Sequence, residues 1–263
     1  MKLDRIGLRL AAAMTIVVAA AAVAAAGNER DNLAPAGKLR IGVYPGSPTS
    51  MVREASTGET HGLSVDLGKE LAKRLELPVE MIQFQRIADV LEAIKSGGVD
   101  FTVSNATPAR AQDVAFSQAL LSIELGVLVP ADSTIATMAD VDRPGVRVGV
   151  TKGSTSERTL PELLPNATVI PAQNLKIAVE MFARRELDAF ATNKAILFEM
   201  SDQMPGARVL DGRWGVEHLA VAIPKGREGG LDYLRGFVSD VQSSGLLGRA
   251  VERAGLRGAA KAE

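Results

Sequence analysis

The chain has 263 residues, 46% of them hydrophobic and 23% charged, with a formal net charge of −1. That composition supplies an ordinary globular core, and with no basic tract beyond the first ten residues it argues against nucleic acid as a partner. Cysteine is absent and histidine occurs only as His61 and His218, which excludes disulfides, thiol catalysis and Cys-ligated metals and leaves no motif for a His-rich metal site or a Ser-His-Asp triad.

Lys2, Arg5 and Arg9 make a basic start, and the apolar run Leu10 to Ala26 ends in Ala24-Ala25-Ala26-Gly27. Small residues one and three positions before a cut fit a secretory signal cleaved after Ala26. As a membrane span the run is short and rich in weakly apolar Ala. The mature chain is therefore expected in the periplasm. Residues 27–37 form a polar lead-in. A strand is expected over Lys38–Tyr44, closed by Pro45, Gly46 and Pro48. Leu63, Leu67, Leu71 and Leu75 recur at helical spacing, and Leu77-Pro78 stops that helix. Val79–Phe84 reads as a second strand, Ile87–Ile94 as a helix ending at Gly97-Gly98, and Val99–Val103 as a third strand. Strands alternating with helices predict parallel βαβ units.

The third strand runs into Ser104-Asn105-Ala106-Thr107-Pro108-Ala109-Arg110. Ser104, Asn105 and Thr107 are short donors, and Pro108 can open a helix. Arg110 then falls in the first turn, where the helix dipole disfavours a base. It needs another partner. That partner is either a ligand carboxylate gripped by the two-pronged guanidinium or the nearby Asp113.

The pattern then repeats. Val146–Val150 is a strand, and Ser154 followed by Glu157 has capping-box spacing at the next helix start. Thr168–Pro171 is a short strand, Leu175–Ala183 a helix and Leu187–Thr192 a strand. Helices over Leu231–Ser243 and Leu246–Ala254 end the fold, and Gly255–Glu263 is expected to fray. In open α/β sheets ligands bind at the carboxyl ends of strands. Two such units facing each other make a cleft that a hinge can close. Tyr44 either covers a core or touches the ligand. Glu124, in the apolar stretch Leu120–Val127, is expected to face solvent, because an unpaired buried charge is costly. His61 is expected to be solvated, and His218, beside Glu217 and Trp214, to be a hinge contact. Arg86 is a candidate second anion contact.

Five segments in this order and spacing resemble the periplasmic solute-binding proteins of ABC importers, in their polar amino-acid family. They are Leu39–Val43, Gly62–Leu67, Thr107–Arg110 through Phe116-Ser117, Gly149–Glu157 and Leu187–Asn193. The resemblance runs from about Leu39 to Leu256. It implies a two-lobed α/β fold, each lobe a mostly parallel sheet flanked by helices. Lobe 1 would comprise residues 38–121 and 220–263, and lobe 2 residues 122–219. The crossings would lie near Leu121–Ile123 and Glu217–Ala222. A small-molecule ligand, an amino acid or small carboxylate, would be captured in the cleft and delivered to an ABC permease in the inner membrane. The protein would be a monomer with no cofactor, no metal and no catalytic residue. Arg110 would pair with the ligand's carboxylate, with Ser104, Asn105 and Thr107 lining the first lobe's share of the site. Ser154 and Thr155 would offer backbone N–H groups to the same carboxylate.

Three departures from that pattern bear on the ligand. Asn193 stands where most relatives have an Asp that pairs with the α-amino group, and a neutral amide makes a bond about half as strong. The Ser104–Thr107 turn is about two residues shorter. Pro45–Ser50 lacks the usual stacking aromatic, for which Tyr44 substitutes only if it turns into the cleft, and Ile87 sits where another aromatic is common. The expectation is a small anionic or hydroxyl-bearing ligand rather than a bulky amino acid. The same fold also hosts periplasmic cyclohexadienyl dehydratases, whose general acid would here be Glu124 or Glu157. No carboxylate pair or catalytic motif accompanies either, so binding without chemistry is favoured. A ligand-sensing accessory role remains equally compatible with the sequence.

Overall fold

The computed structural model describes residues 29–54 and 56–261, so the secretory segment expected over residues 1–26 lies outside it. After a helical turn at residues 29–33 come β1 (Leu39–Val43), β2 (Val52–Arg53), β3 (Thr60–His61), α1 (Leu63–Arg74), β4 (Val79–Gln83), α2 (Ile87–Lys95) and β5 (Thr102–Asn105). A 3₁₀ turn at Arg110–Gln112 leads into β6 (Val114–Val129). Next are β7 (Arg147–Thr151), α3 (Thr155–Leu163), β8 (Thr168–Ala172), α4 (Leu175–Ala183), β9 (Ala189–Asn193) and α5 (Lys194–Asp202). The chain ends with β10 (Arg208–Val209), β11 (Gly215–Pro224), α6 (Leu231–Ser243), α7 (Leu246–Arg253) and β12 (Ala259–Lys261). Among the described residues no helix is long and apolar enough to cross a membrane.

Two α/β lobes result. In the first, β1 lies parallel to β4, and Ile41 bridges to Phe101 just before β5. In the second, β7 lies between β8 and β9 and is parallel to both. Four of the five residues of β1 and of β7 are buried, which is why both read as near-continuous apolar runs. The lobes share two long antiparallel strands. β6 pairs with β11 from Leu125 opposite Gly215 to Val114 opposite Pro224, and its far end pairs with β9. Antiparallel pairing of β11 with β5 completes the path.

One core gathers Ile41, Leu67, Leu71, Phe101, Ile123, Val221 and Phe237. A second gathers Val127, Val129, Val148, Val150, Leu160 and Ala189. Each fully buried Leu or Phe side chain contributes roughly 1.5–3 kcal/mol of transfer free energy. A third cluster spans the cleft, where Tyr44, Ile87 and Val90 of the first lobe meet Leu175, Phe182, Phe190 and Ile196 of the second. The lobes are therefore closed on each other.

Three expectations need correction. The tail does not fray over its whole length, because Ala259 to Lys261 pair with Ile123 to Leu121 of β6. Pro108 opens no full helix, since the chain must turn into β6 at Val114 after a single 3₁₀ turn. The third strand is placed later, at Thr102–Asn105, because the Asp100 carboxylate is tied to the backbone and guanidinium of Arg40.

Candidate functional site

β5 ends at the cleft, and the turn after it folds Arg110 back over the strand. The Arg110 backbone N–H donates to Thr107 Oγ1 at 3.2 Å, and Nη1 donates to Ser104 Oγ at 2.9 Å and to the Asn105 carbonyl at 3.2 Å. The side chain is buried, yet its Nε has no hydrogen-bond partner. Asp113 pairs instead with Lys95 at 3.0 Å, which removes the local ion pair as the explanation of Arg110. Burial presses the guanidinium below its ordinary pKa, and nearby Glu217 opposes that shift. Thr107 does not line the cleft as expected. It serves the turn by accepting the Arg110 N–H.

Across from Arg110, Ser154 caps α3 by accepting the Glu157 N–H at 3.2 Å. Its own N–H is used on the Thr151 carbonyl, so Ser154 is not one of the backbone donors the sequence suggested. By position, the first-turn N–H groups of Thr155 and Ser156 have no intrahelical acceptor. The Thr155 hydroxyl accepts from Asn105 Nδ2 at 3.4 Å, one of the contacts that join the lobes. Arg86 donates to the Gln173 carbonyl and Asn174 donates to Gln85, also between lobes. Arg86 is thus a closing contact and lies outside the cavity.

A cavity of about 40 Å³ lies where these elements meet. Its polar lining includes Tyr44, Ser104, Asn105, Arg110, Thr192, Asn193 and Glu217, and its apolar walls include Ile87, Leu175, Ile196 and Leu219. Tyr44 covers a core and also lines the cavity. Its ring joins the core that spans the cleft and its edge lines the cavity, with the hydroxyl donating to Ser47 Oγ at 3.3 Å. A far wider hollow of about 1030 Å³ opens on the outer side of the second lobe around Pro130, Phe182 and Met204. It holds none of the converging polar groups, so the small cavity is the candidate site.

Asn193 sits at the end of β9, but its Oδ1 is used to cap α5 through the Ile196 N–H at 3.1 Å. Its Nδ2 donates to Glu217 Oε2 at 3.3 Å. Glu217 is the one acid lining the cavity among the described residues. Burial raises its pKa, while Arg110 and the amides of Asn193 and Asn105 oppose the shift. Glu124 and Glu157, the acids considered for catalysis, lie elsewhere. Glu124 pairs with Lys194 and Arg213, and Glu157 accepts the Gly153 N–H.

Sequence reasoning left Glu217 at the hinge and gave it no role in the site. A signal was present, because Glu217 falls in register with the apolar Leu219, Val221 and Ile223 at every second position and His218 is exposed, although the strand is buried at every residue from Leu219 to Pro224. An acid at an apolar position of such a pattern needs a partner.

Comparison with known proteins accords with this architecture. The chain is 26% identical over 202 residues to the glutamine-binding protein of Geobacillus stearothermophilus, covering 75% of this chain and 77% of that one. The structure of the solute receptor for L-cysteine of Neisseria gonorrhoeae superposes with a TM-score of 0.75 at 27% identity, over 85% of this chain and 92% of that one. An ancestral amino acid-binding protein, a precursor of cyclohexadienyl dehydratase, gives a TM-score of 0.74 at 26% identity over 85% and 97%. Residues 39–255 match the family model of bacterial extracellular solute-binding proteins, family 3, and the chain belongs to that family.

Proposed function

We propose that the protein is the solute-capturing component of an ABC importer, working in the periplasm as a monomer without chemistry of its own. It holds a small carboxylate-bearing solute between lobe 1 (residues 38–121 and 220–263) and lobe 2 (residues 122–219) and delivers it to a membrane permease. The observation that carries this reading is Arg110, a buried cation beside the cavity whose Nε has no protein partner. A carboxylate satisfies such a group with charge-assisted bonds, and the open N–H groups at the start of α3 add donors from the opposite lobe. Relatives named for glutamine and L-cysteine binding agree with a carboxylate-bearing solute. The small cavity and the absence of an aromatic in Pro45–Ser50 favour the smaller members of that class.

Isothermal titration calorimetry against small carboxylates and amino acids tests the proposal. Arg110→Ala should weaken every carboxylate ligand by about 2–5 kcal/mol, the usual cost of removing one partner of a buried charge pair. An affinity that survives the substitution would remove Arg110 from the site.

One observation favours a second reading. A carboxyl whose pKa is raised by burial, as that of Glu217 is, is suited to general-acid work, and the fold is shared with a precursor of a dehydratase. The cavity of about 40 Å³ is tight for a cyclohexadienyl acid. Release of phenylpyruvate from prephenate by the purified protein would establish catalysis, and its absence would leave binding as the function.

A further inference from the structure

Two opposite charges border the cavity without meeting. Arg110 makes its contacts with Ser104 and the Asn105 carbonyl, and its Nε is unpartnered. Glu217, on the strand shared by the lobes, is only 9% exposed. Its contacts are the neutral amides of Asn193 and Asn105. The remaining polar side chains on the lining are hydroxyls, those of Tyr44, Thr49, Thr151, Ser154, Thr155, Ser156 and Thr192. The cavity therefore has one positive and one negative wall, and among the described residues no third charge lines it.

Resting on the carboxylate reading at Arg110, we propose that Glu217 is the contact for a ligand's cationic amino group, so that the solute is a small zwitterion spanning Arg110 and Glu217. A simple carboxylate at Arg110 would leave Glu217 facing a second anion in a closed cavity, where charge is poorly screened. A zwitterion supplies both counter-charges at once and leaves the closed site neutral. Burial disfavours the Glu217 carboxylate in the unliganded protein, and an ammonium group removes that penalty. The amide of Asn193 is a positioning residue in this scheme, since Nδ2 holds Glu217 while Oδ1 is committed to the α5 cap. The expected loss of amine recognition at Asn193 is thereby offset by an acid on another strand. Tyr44, Ile87, Leu175 and Ile196 crowd the remaining space, which limits the side chain to a small one.

The test is titration calorimetry with pairs of equal size that differ only in the charged amine: glycine against glycolate, L-alanine against L-lactate, and L-serine against glycerate. Wild-type protein should bind at least one amino acid on the order of 100-fold more tightly than its hydroxy acid, as for a buried charge pair. In Glu217→Gln that amino acid should lose about this factor while the hydroxy acid keeps or improves its affinity. Arg110→Ala should lose both. The wild-type comparison needs no variant, so it decides the matter even if Glu217→Gln does not fold. Equal or tighter binding of the hydroxy acids by wild type, or a preference for amino acids that survives in Glu217→Gln, would overturn the role of Glu217 and leave Arg110 as the carboxylate contact. Binding of no compound in either class would overturn the Arg110 reading and this inference with it.

Discussion

Asn193 is hydrogen-bonded to Glu217, so a substitution at Asn193 changes the protonation of Glu217. Asn193→Asp would set a second carboxylate within hydrogen-bonding reach of a buried one, since the present Asn193 Nδ2 to Glu217 Oε2 distance is 3.3 Å. Like charges that close cannot both ionise cheaply, so the pair would hold a proton well above the ordinary carboxyl range. A raised folded-state pKa means that the folded protein binds more protons than the unfolded chain above about pH 4.3, the ordinary Glu value. Stability must then fall as pH rises through that window. Wild-type Glu217, also shifted upward by burial, carries a smaller form of the same penalty. Melting curves of the ligand-free protein should show Asn193→Asp close to wild type near pH 4 and clearly less stable at pH 7. A variant as stable as wild type at pH 7 would mean that the two side chains are not coupled. Combined with Glu217→Gln, which removes one acid, the pH 7 deficit should largely disappear.

At the scale of elements the two lobes repeat one device. Arg40 in β1 donates its backbone N–H and Nε to Asp100 Oδ2, both at 2.9 Å, and Nη2 to Oδ1 at 2.7 Å. Arg147 in β7 makes the same three bonds to Asp188, at 2.8, 2.9 and 2.9 Å. Each Asp precedes the strand that ends in the cleft, so the clamp fixes where β5 and β9 deliver Asn105 and Asn193. The two differ in burial. Asp100 is fully enclosed and also binds Arg227, whereas the Asp188 side chain is 36% exposed. Asp100→Ala should therefore cost about 3–5 kcal/mol, as a broken buried pair does, and Asp188→Ala about 1 kcal/mol after solvent screening. Urea denaturation would measure both, and equal losses would refute the burial argument. Although burial alone would raise the Asp100 pKa, the bonds from Arg40 and Arg227 hold it below the usual carboxylate range. Its contribution is thus present above the unfolded pKa and is lost as pH falls through the folded one. The repeat was legible in Leu-Arg-Ile-Gly-Val and Val-Arg-Val-Gly-Val, and α4 and α6 fall on the residues their periodicity predicts. The extent of β6 was not legible, because from Leu120 to Val129 it is buried on both faces apart from Glu124 and has no alternation to read. Helix α5 follows β9 without a turn residue, since Asn193 both ends the strand and caps the helix. Arg110 announced itself by an unfavourable place in a local motif, whereas Glu217 depends on partners 24 residues away at Asn193 and on the other lobe at Asn105.

For the whole molecule, the central quantity is the balance between closed and open lobes, and Gly153 lies at a close approach between them. It precedes α3 with φ of +76°, and a Cβ built there would stand 2.5 Å from the Ala88 Cβ in α2 of the opposite lobe. That separation is less than any real pair of carbons tolerates. Neither atom is the end of a flexible side chain, so a shift of one lobe relative to the other is the available relief. Because Arg110 and Asn105 contribute from one lobe and Thr155 and Asn193 from the other, a lobe displaced even slightly no longer completes the site. Gly153→Ala should accordingly weaken ligand binding strongly while lowering the stability of the ligand-free protein by only about 1–2 kcal/mol, the cost of a left-handed backbone with a side chain. The two effects separate through Ala88→Gly. That change removes the clash but not the backbone strain, and by itself costs about 1 kcal/mol of helix propensity. If closure is what Gly153 protects, the double variant should recover most of the lost affinity while remaining less stable than either single variant. Small-angle scattering at saturating ligand should show contraction in wild type and in the double variant but not in Gly153→Ala. A double variant that binds as poorly as Gly153→Ala would instead assign the loss to the distorted start of α3, whose first residues line the cavity, and not to the meeting of the lobes.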